Sequence, residues 1–173
     1  MESASSRLKL YSYIERFQER ALYFDTDSLL YNERPDNEYH PEIGHYLGEM
    51  TNELEKDFGS GSYITEYVSG GPKHYAFKVW STREHKEKIC MKVKGFKISH
   101  DLASEINFDN LRGKVHAFVQ ERNRQETVVH IQRIERTAER NVVTVIRKKV
   151  YRVTYDKRVI MPDFSTVPNG YKR

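Results

Sequence analysis

Leu22-Tyr23-Phe24-Asp25-Thr26-Asp27-Ser28 sets two carboxylates one residue apart in the middle of an apolar run. Ala21-Leu22-Tyr23-Phe24 leads in and Leu29-Leu30-Tyr31 leads out, and both flanks have the aromatic and aliphatic content of short strands. Two acids at such a seam are costly unless something positive meets them, and a metal ion is the natural candidate. In an extended chain Asp25 and Asp27 would share a face, roughly 6–7 Å apart by strand rise. A tight turn at Thr26-Asp27-Ser28 would put them at the tip of a hairpin. An EF-hand loop beginning at Asp25 needs Gly at its sixth position and Glu at its twelfth. Leu30 and Asp36 stand there, so that chemistry is excluded. Two others stay open at this point: the Asp-x-Asp of sugar-nucleotide transferases, which holds a divalent ion, and a plain hairpin turn closed by side-chain to backbone hydrogen bonds.

The elements that must position this pair follow from periodicity. Leu8, Leu10, Tyr11, Ile14 and Phe17 recur mostly at three and four, which predicts an amphipathic helix over Ala4–Arg20. A second helix is predicted from Pro41 to about Phe58, with a stripe of Ile43, Tyr46, Leu47, Met50 and Leu54 and an end at Gly59-Ser60-Gly61-Ser62. Three strands follow, over 62–69, 74–80 and 89–96. Gly70-Gly71-Pro72 and Thr82–Lys86 supply the turns between them. Asn107-Phe108-Asp109 leads a short helix through Phe118, and β-rich stretches cover 127–131, 141–146 and 150–155. The tail from Pro162 is turn chemistry. The fold class is α+β, with a loose boundary near Asp101–Asn110.

The chain has 173 residues, enough to bury a core, and 29 Lys and Arg against 25 acids give a formal charge of +4. The excess is concentrated after Arg122, in residues such as Arg133, Arg136, Arg147, Lys148 and Lys149, a pattern that suits a polyanion partner or a solvated strand face. Cys90 is the only cysteine, which excludes a disulfide framework and a cysteine zinc site. His40, His45, His74, His85, His100, His116 and His130 show no metal-ligand spacing. No apolar stretch approaches membrane-spanning length and no signal-peptide core is present, so a soluble intracellular protein is expected.

The longer string Tyr23-x-Asp25-Thr26-Asp27-Ser28, on a hairpin between apolar strands, resembles the third palm motif of family B DNA polymerases, YxDTDS. Further along, Lys73-His74-Tyr75 resembles the KxY element that protein-primed members place after it. Met91-Lys92-Val93-Lys94-Gly95-Phe96 resembles the KxxG-type strand before the thumb, and Asn107-Phe108-Asp109-Asn110-Leu111 the opening of the thumb region. Tyr155-Asp156-Lys157-Arg158-Val159-Ile160 and Thr166-Val167-Pro168-Asn169-Gly170-Tyr171 look like the C-terminal end of these polymerases in Polinton/Maverick-like transposons and related viruses. The family more often has an aromatic residue where Asn169 stands. The likeness runs in order from Arg7 to Tyr171.

That resemblance implies a DNA-directed DNA polymerase of the protein-primed type, acting on primer-template DNA and deoxynucleoside triphosphates, with a terminal protein as primer. Template-directed nucleotidyl transfer would use two Mg²⁺ ions about 3.5–4 Å apart. Asp27 would be the main catalytic metal ligand and Asp25 the second, while Tyr23, Thr26 and Ser28 would support the incoming nucleotide or primer end. Lys73, Tyr75, Lys92, Lys94 and Gly95 would meet DNA, with Lys92 and Lys94 on one strand face and Gly95 admitting close backbone approach. Residues 1–105 would be the C-terminal part of the palm (helix, β-hairpin, helix, small antiparallel sheet) and 106–173 the thumb, of helix and strands. A second metal-binding aspartate and a triphosphate-binding lysine belong upstream in the family. The chain is therefore expected to start in mid-palm, as a C-terminal fragment or one half of a split polymerase, inactive alone. The alternative is a non-catalytic DNA-binding remnant of a transposon or viral polymerase. A eukaryotic transposon origin would imply a nuclear protein.

Overall fold

A computed structural model of the chain describes residues 2–34, 39–46, 48–121, 123, 125–154, 158–162 and 166–168. It is an α+β structure with small antiparallel sheets and a few helices. The chain divides into two compact units, Met1–Ser62 and Tyr63–Arg173. The expected boundary at 105/106 falls inside the second. No described helix is long and apolar enough to cross a membrane.

In the first unit, helix α1 (Glu2–Phe17) runs into a 3₁₀ turn at Gln18–Arg20. Leu10, Tyr13 and Phe17, spaced three and four apart, are its buried stripe. Of the expected stripe, Ile14 is half-buried and Leu8 and Tyr11 are exposed, because they face away from the hairpin side that Phe17 packs on. Strands β1 (Ala21–Asp25) and β2 (Ser28–Tyr31) then pair antiparallel, with a register shift between Ala21 and Tyr23. Phe17 stacks on Tyr31 with ring centroids 4.2 Å apart, so the helix end clamps the base of the hairpin. Arg20 completes the clamp. It is buried, donates from Nε to the Asn32 carbonyl at 2.9 Å and from Nη1 to the Tyr39 carbonyl at 3.3 Å, and lies against the Phe17 and Tyr31 rings.

The helix predicted from Pro41 to Phe58 is reduced to α2 (Glu53–Phe58). Upstream of it the chain is irregular, with one isolated bridge between Ile43 and Met50. Gly48 has a φ of +92°, which no helix accommodates, and Tyr46 of the supposed apolar stripe is 82% exposed. The short helix starts where it does because Asn52 caps it, accepting from the backbone N–H groups of Leu54 and Glu55. Leu47, also in that stripe, lies outside the described residues.

The second unit is built on an antiparallel meander, β3 (Tyr63–Gly71), β4 (His74–Ser81) and β5 (Lys86–Val93). After a turn of helix α3 (His100–Ala103), which the sequence pattern did not predict, α4 (Phe108–Glu121) covers one face. Asn107 caps α4 by accepting from the Asn110 backbone N–H at 2.9 Å. Leu111, Phe108 and Phe118 of α4 meet Val68, Ala76 and Val93 of the sheet, and Val129, Tyr151 and Val153 close the same core. A polar bridge reinforces this packing: Glu66 accepts from Lys78 at 2.8 Å and from Arg112 of α4 at 3.1 Å. The Lys78 hydrogen bond holds the Glu66 carboxyl below its ordinary pKa.

Beyond the core, β6 (Thr127–Arg136) and β7 (Val142–Tyr151) form a ribbon ten residues long on each side. The stretches predicted separately at 141–146 and 150–155 thus belong largely to one strand. Arg147, Lys148 and Lys149 do not interrupt it, because each stays paired with a residue of β6. Strands β8 (Arg158–Ile160) and β9 (Thr166–Pro168) form a small antiparallel pair, and β9 stands within the tail from Pro162 where turns were expected. Tyr155, Asp156, Lys157, Asn169, Gly170 and Tyr171, on which part of the C-terminal resemblance rested, lie outside the described residues.

Candidate metal-binding hairpin and lysine cradle

Asp25 ends β1 and pairs with Ser28, the first residue of β2, so Thr26 and Asp27 form a two-residue loop. Thr26 takes a φ of +50°, and the Asp27 backbone N–H donates to the Asp25 carbonyl at 2.6 Å. The hydroxyls tie the loop. Ser28 Oγ donates to the Asp25 carbonyl at 3.1 Å and Thr26 Oγ1 to the Asp25 carboxylate at 3.3 Å. Asp27 is exposed, and its carboxylate accepts no hydrogen bond from the described residues. The hairpin expectation therefore holds, whereas the extended-strand placement of the two acids does not: Asp27 sits in the turn and Asp25 at a strand end. Tyr23 lies two residues before Asp25 on the same side of β1, half-buried and paired with Leu30.

The donor set at this tip is hard oxygen: two carboxylates, two hydroxyls and a backbone carbonyl. Such donors fit Mg²⁺, which binds through one or two carboxylates and keeps water or phosphate elsewhere. Among the described residues no group of three or more His, Cys, Asp or Glu side chains gathers. Asp25 and Asp27 are thus a pair with no third such side chain gathered beside them among the described residues.

In the second unit the register of β4 on β5 decides the geometry. His74 pairs with Val93 and Tyr75 with Lys92, so Lys73, in the turn before β4, comes beside Lys94 just past β5. Lys73, Lys92 and Lys94 border one shallow depression of about 330 Å³, floored by Met91, Phe96 and Ile98. Lys92 Nζ lies 5.9 Å from the centre of the Tyr75 ring, and Tyr75 in turn stands 6.2 Å from Tyr67 and 6.4 Å from Phe77. The lysines are exposed and none of the lining side chains is acidic, which suits an anion.

Two details differ from expectation. Lys92 and Lys94 do not share a strand face, because β5 ends at Val93 and Lys94 belongs to the turn closed by Phe96 N–H to the Val93 carbonyl at 3.0 Å. Gly95 is needed for that turn, with a φ of +82°, and its carbonyl accepts from Lys149 of β7. Lys73 itself has a φ of +56° directly after Pro72, an uncommon conformation for a lysine that holds its side chain at the tip of the β3–β4 turn.

Sequence reasoning missed the buried polar groups around this cradle. His74, between the two residues of the KxY element, points into the core and packs over Gly70, where a Cβ would come within 2.9 Å of His74 Nδ1. Burial pushes its pKa down to about 4. Its ring lies 5.3 Å from that of Tyr151, whose hydroxyl is pushed up by burial. His74 Nε2 and the Tyr151 hydroxyl are buried without a hydrogen-bond partner among the described residues. Lys114 of α4 is also buried, donates to the Gln125 carbonyl at 3.3 Å, and is held below its ordinary pKa by burial. Strict alternation along His74-Tyr75-Ala76-Phe77 was the available signal, since it sends His74 to the side opposite Tyr75.

No protein-family model, curated protein or solved structure matches this chain.

Proposed function

We propose that this chain is the palm hairpin and thumb portion of a family B DNA polymerase of the protein-primed type, and that by itself it binds DNA without extending it. The carrying observation is the YxDTDS string on a two-residue hairpin loop that leaves the Asp27 carboxylate free. Asp27 and Asp25 would hold Mg²⁺, which, once a further carboxylate is supplied, stabilises the attacking and leaving oxygens of phosphoryl transfer. Thr26 and Ser28 fix the loop through their hydroxyls, and Tyr23 supports it from the adjoining strand. Lys73, Lys92 and Lys94 neutralise backbone phosphates, while Tyr75 offers a ring beside them. In this reading residues 1–105 correspond to palm and 106–173 to thumb.

Two measurements test it. Mn²⁺ titration of isotopically labelled chain should broaden the amide signals of Thr26, Asp27 and Ser28 at millimolar metal, and Asp27→Asn with Asp25→Asn should abolish the effect. Binding to primer-template DNA, followed by fluorescence anisotropy, should weaken in the Lys73→Ala, Lys92→Ala, Lys94→Ala triple variant. Its salt dependence should fall by about 2–3 units of slope. Absence of broadening removes the metal role and leaves the DNA-binding remnant. Absence of DNA binding at low salt removes both readings. Sustained Mg²⁺-dependent primer extension by the chain alone would contradict the claim that it is inactive by itself.

A further inference from the structure

The β6–β7 ribbon has one packed side and one open side. Val129, Ile131 and Tyr151 turn towards the core at its base. The opposite side carries Val128, Ile134, Val142, Ile146 and Val150, exposed by 45%, 77%, 66%, 68% and 43%. The register sets Val128 across from Val150 and places Val142 and Ile146 diagonal to Ile134, within reach of one another. Between these groups His130 stands opposite Lys148, and Arg136 opposite Val142. Of the ten positions on this side, five are aliphatic, three are His, Lys or Arg, and none is acidic. Glu135 lies on the other side, where it pairs with Arg147 at 2.6 Å.

We propose that this open side of the ribbon is a docking surface for an acidic amphipathic helix of a partner protein. The mixture of side chains selects that occupant. A second copy of the chain would set Lys148 and Arg136 against the same charges. Nucleic-acid phosphates would meet the cations but leave the aliphatic side chains against a polar backbone, with nothing gained from their burial. A helix with an apolar stripe flanked by Glu satisfies both requirements. Dimensions agree. Eight residues of strand rise make the face roughly 27 Å long, which one helix of about 18 residues spans. The proposal does not depend on the polymerase reading, since none of the residues on this side of the ribbon belongs to the lysine cradle or to the carboxylate hairpin.

The test uses the full chain and a fluorescent synthetic peptide of about 18 residues, with Leu along one helical stripe and Glu beside it. Controls are a scrambled peptide of identical composition, a short DNA duplex, and phosphatidylcholine vesicles containing phosphatidylserine. We expect the helical peptide to bind at least about tenfold more tightly than its scrambled form. Ile134→Ser with Ile146→Ser, and separately Arg136→Glu with Lys148→Glu, should each weaken it about tenfold with unchanged circular dichroism. Equal binding by the scrambled peptide overturns the proposal. So does an Ile134/Ile146 variant that binds as well as the parent, since the surface is then a simple polyanion site. Binding of the duplex or the vesicles that depends on Ile134 and Ile146, with none by the peptide, overturns it too.

Discussion

Acid should destabilise the second unit through one side chain, His74. The imidazole is 4% exposed and packed over Gly70, between β3 and the core, and burial lowers its pKa to about 4. In the unfolded chain the same group titrates near its ordinary value of about 6.5. Because the folded value is the lower one, the unfolded chain takes up the proton first. The stabilisation is therefore complete above about pH 6.5 and is lost progressively as the pH falls towards 4. Between about pH 7 and pH 5 the two values give a loss of about 2 kcal/mol, in a range above the ordinary titration of carboxylates. Urea unfolding followed by the fluorescence of Trp80, the only tryptophan and a member of the same strand as His74, reports on the right unit. With a urea slope of about 1–2 kcal/mol/M the midpoint should drop by about 1–2 M. His74→Leu should remove that part of the pH dependence. Equal acid sensitivity in the His74→Leu variant would refute the reasoning. Should that variant not fold, an assigned His74 imidazole signal in the parent titrating near about 6.5 would refute it equally.

Three further outcomes are expected. Arg20→Ala should lower the stability of the first unit by about 3 kcal/mol, because it strips donors from two backbone carbonyls and a cation from two rings. Hydrogen exchange at the β1–β2 amides reads this, and Arg20→Lys should recover less than half, since an ammonium cannot reproduce the guanidinium fork. Gly71→Ala should cost about 3 kcal/mol in thermal or urea unfolding: the residue has a φ of +125° and an added Cβ would fall 1.8 Å from the Thr154 carbonyl oxygen. Lys114→Met should leave stability unchanged or raise it, as an apolar side chain of similar length replaces a buried ammonium with one backbone partner; a large loss of melting temperature would contradict this.

Local chemistry determined much of this molecule. The recurrence of Leu10, Ile14 and Phe17 makes α1 legible, although Tyr13 and not Leu8 or Tyr11 is buried on it. Two apolar flanks around Thr26-Asp27 make the hairpin, and Asn107 starts α4, because each signal lies within a few residues. The carboxylate pair and the KxY lysine could be picked out for the same reason. Periodicity failed between Pro41 and Met50, where an apolar stripe at helical spacing is present but Gly48 and the Asn52 cap confine the helix to its last six residues. Polarity misled at Arg147-Lys148-Lys149, where pairing with β6 carries the strand through a run of charges. What only the tertiary structure decided is convergence. Lys73 meets Lys92 and Lys94 because an antiparallel register sets His74 against Val93, a choice made by the whole sheet. His74, Arg20 and Lys114 are buried because distant apolar groups close over them, and that burial, absent from any local string, sets the electrostatic cost each carries.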